Sequence, residues 1–182
     1  MSENESIILT RDVNVVIIPD GHHDTLKKGE TVSIHQALGN NYTVITEYGN
    51  MVRISSNDAD ALRKEAHSLK TLVTETDPET VEKNCWEVMR TVYDPEIPVN
   101  IVELGLVYRC KVTAVSEASN DVHVEMTLTA PGCGMGPVIQ SDVEKCIRAL
   151  PGIENVNVEV VLDPPWSQEM MTEVAKIQLG LI

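Results

Sequence analysis

The spacing of apolar residues changes once along this chain, near residue 75, and that change limits the folds open to it. Before it, short runs alternate between polar and apolar side chains, as a half-buried strand does. Thr31-Val32-Ser33-Ile34 and Tyr42-Thr43-Val44-Ile45-Thr46 are two of them, and Val13–Ile18 is an apolar run closed by Pro19-Asp20-Gly21. Gly39-Asn40-Asn41 and Gly49-Asn50 supply the residues that tight turns between strands need. Several strands this closely spaced predict a small barrel-like or curled sheet over 7–54. Leu62, Ala66, Leu69 and Val73 then predict a helix over 57–73, with Ser55, Ser56 and Asn57 as candidate caps.

After the junction at 74–77 the period lengthens. Thr76-x-x-Glu79 reads as a capping box, and Val81, Cys85, Val88, Met89 and Val92 share one helical face. Asp94-Pro95-Glu96-Ile97-Pro98 stops that helix, because two close prolines cannot continue it. Strands are predicted at 106–115 and 121–129, a Pro/Gly-rich loop at 131–137, and a helix at 138–150. A strand at 155–162 leads to a last helix, capped by Ser167 and reaching Leu179. The expectation is an α+β protein: a β-rich module with its helix over 1–74, then an α-β-β-α-β-α sandwich with a mixed sheet over 77–182.

With no Phe among 182 residues, the core must come from Val, Ile, Leu, Met and Ala. The formal charge of −14 argues against nucleic acid and anionic membranes as partners. The longest apolar runs fall far short of the ~20 residues that span a bilayer. The opening Met1–Glu5 is acidic and polar, unlike a signal peptide. The four cysteines form no CxxC pair, which speaks against a zinc site or a disulfide scaffold and for a reducing cytoplasm.

Three cysteines have structural explanations. Cys85 and Cys146 lie on the apolar stripes of their helices, and Cys110 shares a strand face with Tyr108 and Val112. Cys133 differs, sitting in Ala130-Pro131-Gly132-Cys133-Gly134-Met135-Gly136-Pro137 between a strand end and a helix start. Flanking glycines leave room for another group to approach, and a nearby helix N-terminus favours thiolate, the form that attacks or binds metal. Met135 could be a soft ligand but reads better as packing. Asp94 and Glu96 read as turn chemistry from the residues alone. His22, His23 and Asp24 read as a solvated loop, with His35 nearby but not spaced to join them as ligands. His67 and His123 are lone polar-face histidines.

Tyr93–Tyr108, Leu128–Cys133 and Leu162–Trp166, in this order, resemble three motifs of the metal–sulfur cluster assembly domain. The closing Met171-x-x-x-Ala175-x-x-x-Leu179-Gly180 fits as well. The resemblance covers about 77–182, and the β-rich extension with the Cys-Gly-Met-Gly-Pro loop is similar to the SufT branch. Many relatives have proline directly after the cysteine, where this chain has Gly134. The resemblance implies a functional site of Asp94, Glu96, Thr129 and Cys133, with Ile97 as the apolar neighbour of the acidic pair. It also implies a non-enzymatic role in assembling iron–sulfur clusters and delivering them to client apoproteins.

Ligand count constrains that role. A cluster usually takes four thiolates, so one loop cysteine cannot house it alone. Three arrangements stay open: two chains bridging a cluster as a homodimer, completion by a carrier, scaffold or client protein, and docking without ligation. The expectation is a transient iron–sulfur cluster at Cys133. The rivals are an adaptor in which the N-terminal module recruits clients and an enzyme with Cys133 as nucleophile. The second rival would need His123, at the other end of its strand, as base. A further branch of the family assists multicomponent oxygenases, and the extension argues against it.

Overall fold

The alternating runs of the first part form a six-stranded antiparallel sheet, with order β1-β4-β5-β6-β2-β3. Its strands are β1 (Ser6–Ile8), β2 (Val13–Ile17), β3 (His23–Leu26), β4 (Thr31–Leu38), β5 (Asn41–Thr46) and β6 (Met51–Ser55). The structure, a computed structural model, describes residues 6–65, 72 and 74–182. It divides into two units, Met1–Ser68 and Leu69–Ile182. In the first, the β1–β4 pairing continues one residue further: Leu9 N–H donates to Glu30 O and Gly29 N–H to Leu9 O. The alternate residues Val44, Val52 and Ile54 point into one core with Leu9, Val15 and Leu62.

Two expectations for this unit change. In the described part of the helix expected over 57–73 there is instead a 3-10 turn, Ser56–Leu62, closed by Arg63 in the left-handed region at φ 56°. Ala66, Leu69, Val73 and His67 lie outside the described residues. His23 and Asp24 are not in a loop but in the exposed edge strand β3, opposite Val16 and Val15.

The second unit runs α1 (Pro78–Met89), β7 (Val107–Ala114), β8 (Asn120–Met126), α2 (Gly136–Arg148), β9 (Ile153–Val160) and α3 (Glu173–Gln178). This is the α+β order expected. β7 pairs antiparallel with β8, and β8 pairs parallel with β9 across the α2 crossover, giving a mixed sheet of order β7-β8-β9. α1 packs on β7, α2 on β9, and the helices on each other, so both cover one face. Val122, Val124 and Met126 of β8 are buried, as are Val81 and Val88 of α1 and Ile139, Val143 and Ile147 of α2. Each such side chain contributes roughly 1.5–3 kcal/mol. The other face is polar, with Arg109, His123 and Glu125 on it.

Local chemistry resets several boundaries. Asp77, not Thr76, caps α1, its side chain accepting from the Thr80 N–H at 3.0 Å. Strand β8 stops at Met126, so Thr129 stands in the loop. The last helix is broken: a 3-10 turn, Gln168–Met170, precedes α3, and Thr172 caps α3 by accepting from the Ala175 N–H. Ser167 makes no side-chain cap. Among the described residues no helix is long and apolar enough to cross a membrane.

Candidate functional site

Register decides where the chemistry gathers. Val107 opens β7 opposite Met126, the last residue of β8, and Met126 pairs with Val160, the last of β9. The segments entering β7 and leaving β8 and β9 therefore meet at one end of the sheet. Those segments are Tyr93–Leu106, Thr127–Met135 and Leu162–Trp166.

The first segment is organised by Asp94, which is 6% exposed. Its Oδ1 accepts from the backbone N–H groups of Glu96 and Ile97, both at 2.9 Å. An Asp-Pro sequence favours this, since proline fixes the chain so that the following N–H groups fold back on the aspartate. Oδ2 accepts from the Thr129 hydroxyl at 3.4 Å. A bridge between Tyr93 and Asn100 closes the turn. Asn100 starts the next one, its side chain accepting from Val102 and Glu103 N–H at 3.1 and 3.0 Å.

Asp94, Glu96, Ile97 and Thr129 are thus drawn into one cluster. Asp94 is buried and its oxygens are committed, while Glu96 is exposed and Ile97 half-buried. Cys133 follows Thr129 by four residues, so the chain keeps the two within roughly 14 Å even if extended. A turn shortens that span: the Cys133 N–H donates to Ala130 O at 3.3 Å and Gly136 N–H to Cys133 O at 3.0 Å. Gly132 holds φ +79°, a left-handed conformation that lets the chain reverse just before the cysteine. Gly136 serves differently. A Cβ there would press Leu128 Cδ1 at 2.7 Å.

Of the four cysteines Cys133 is half-buried and the other three are buried. Contact with Cys110 and burial push the Cys85 thiol well up, whereas contact with Cys85 lowers Cys110. Burial pushes Cys146 up to about 12. A neutral, enclosed thiol is inert, which suits Cys85 and Cys146 to packing. Met135 is fully buried at the start of α2. Among the described residues no three His, Cys, Asp or Glu side chains converge to hold a metal ion.

Several residues outside the predicted site hold this end together. Tyr108 Oη donates to Pro164 O and Trp166 Nε1 to Leu104 O, each at 2.7 Å. Glu103 receives Arg90 on one oxygen and the Thr172 hydroxyl on the other. All but Arg90 stand within the spans of the motifs quoted above. Their signal was present as motif membership, but the pairing of first motif with third appears only in three dimensions.

The family model described as iron–sulfur cluster assembly protein matches residues 82–160. Over 101 residues the chain is 40% identical to a protein of Porphyromonas gingivalis named Fe-S protein maturation auxiliary factor, covering 56% of this chain and 92% of that one. It is 42% identical over 90 residues to the Fe-S protein maturation auxiliary factor SufT of Staphylococcus aureus, covering 50% of this chain and 98% of that one. It is also similar to a crystal structure of a domain of unknown function, DUF59, from Bacillus anthracis. That match has 39% identity and a TM-score of 0.52, covering 57% of this chain and 95% of that one.

Proposed function

The chain belongs to the iron–sulfur cluster assembly protein family, as a SufT-type member, and on that premise we propose that Cys133 handles clusters in transit to client apoproteins. The names of its relatives support a role for the chain in iron–sulfur cluster maturation. Cys133 alone among the four cysteines is not buried, which supports its part in transit. The cluster is cargo. One thiolate supplies a quarter of the usual ligand set, so carrier, scaffold or client proteins, or a second copy in a homodimer, complete it. Buried Asp94 and half-buried Thr129 act as supports of the turn, and Glu96 as the exposed carboxylate beside it. No covalent turnover is assigned to this chain.

Anaerobic transfer from a cluster-loaded carrier protein to an apo-client tests this. Cys133→Ser should slow transfer at least about ten-fold, the effect of losing one essential ligand, while Cys146→Ala leaves it unchanged. Full transfer by Cys133→Ser overturns the proposal and leaves docking without ligation. A charge-transfer absorption that appears with wild type and not with Cys133→Ser identifies the thiolate as ligand.

A further inference from the structure

α3 buries one face and displays another. Ala175 is fully buried, and α3 is fixed by Thr172 N–H to Glu103 O at 2.9 Å and Gln178 Nε2 to Pro98 O at 3.0 Å. On the outer face Val174, Ile177 and Leu181 are 61%, 64% and 50% exposed. Val174 and Ile177 share that face by their spacing of three, and Leu181 follows just past the left-handed Gly180 that ends the helix. The helix end keeps the three in order. Leu181 N–H donates to Lys176 O at 2.8 Å and Gly180 N–H to Ile177 O at 3.0 Å, the paired bonds that close a helix and hold the residue after the glycine against it. Scattered exposed apolar residues need no explanation, but a fixed stripe of three does.

Charge says what covers it. Glu173 borders the stripe and Glu169 lies in the turn just before α3. Gln178 joins the helix to the Pro98 turn, which carries Glu96. All three carboxylates are exposed, none is ion-paired among the described residues, and they outnumber Lys176, the one cation on α3. A second copy of this chain seated here by a two-fold axis would bring the same acidic residues face to face. An anionic membrane would be repelled likewise. We infer that the outer face of α3 is a docking surface for a partner protein segment that presents apolar side chains flanked by lysine or arginine. Apolar contact supplies the grip, and the carboxylates choose the partner and speed its approach. The inference holds whether or not Cys133 ligates a cluster.

A synthetic amphipathic leucine–lysine peptide is the probe, titrated against the full chain by fluorescence anisotropy. It should bind saturably, weaken with salt, and bind at least about ten-fold less well to Ile177→Glu/Leu181→Glu, which removes the central contacts. Glu169→Lys/Glu173→Lys should lose a similar factor. Glu117→Lys/Glu159→Lys, with the same charge change elsewhere, and Cys133→Ser should bind as wild type does. Absence of saturable binding, or equal loss in the Glu117/Glu159 variant, overturns the inference. So does a dimer by sedimentation that Ile177→Glu/Leu181→Glu dissolves, because the stripe is then covered by a second copy.

Discussion

Asp94 shows how a residue can be legible as a site member and illegible as to its job. Asp-Pro announced a turn, and the family motif marked it as functional, but neither revealed that its carboxylate is turned inward onto Glu96 and Ile97 N–H and Thr129. Those partners lie up to 35 residues away. Asp94→Ala should therefore lower stability by about 1–3 kcal/mol, read as a reduced urea midpoint, because three part-buried donors lose their acceptor. Asp94→Asn, which keeps an oxygen, should cost less. Cys146 makes a pH prediction. Its thiol rises from 9.0 to about 12 in the folded chain, so the unfolded chain ionises first. The stability it contributes is complete below pH 9.0 and is lost as pH climbs toward 12. Cys146→Ala should flatten that alkaline decline in melting temperature.

The elements read from periodicity hold best where both faces of the pattern are local. β8 and α2 are found where alternation and stripe placed them, shifted by a few residues. The last helix fails because its break is set from outside: Thr172 N–H is held by Glu103 O, and Met170 O lies against Gly105. Nothing near residue 170 announces those partners, although Thr172 before Glu173 is a usable cap signal. At Gly105, φ is +74° and an added Cβ would come 2.3 Å from Met170 O. Gly105→Ala should destabilise on the order of 3 kcal/mol through strain, and more through the displaced turn. Hydrogen exchange should show the loss concentrated over 167–178, with β8 and α2 less affected.

For the whole molecule, the change of period near residue 75 and the two compact units lead to an organisation of two domains, proposed here as 1–74 and 77–182. Each has its own sheet and its own buried residues, so heating should give two calorimetric transitions. Residues 69–182 expressed alone should reproduce one of them. A single transition lost on cutting between the units would show instead that neither stands without the other. The sequence foretold the sheet-rich character of the first unit from its alternation and turn residues. It did not foretell that Arg63 ends the turn after β6, since a left-handed arginine has no sequence signature.

The level ends of β7, β8 and β9 also offer a practical handle. All three motif segments occupy one end, while the hairpin of Ser116 and Ser119 and the Pro151-Gly152 turn occupy the other. β8, seven residues long, separates them by roughly 20 Å. A fluorophore or crosslinker attached at the exposed Glu117 would travel with the domain yet leave Cys133 and α3 unobstructed, a place from which to watch cargo arrive without standing in its path.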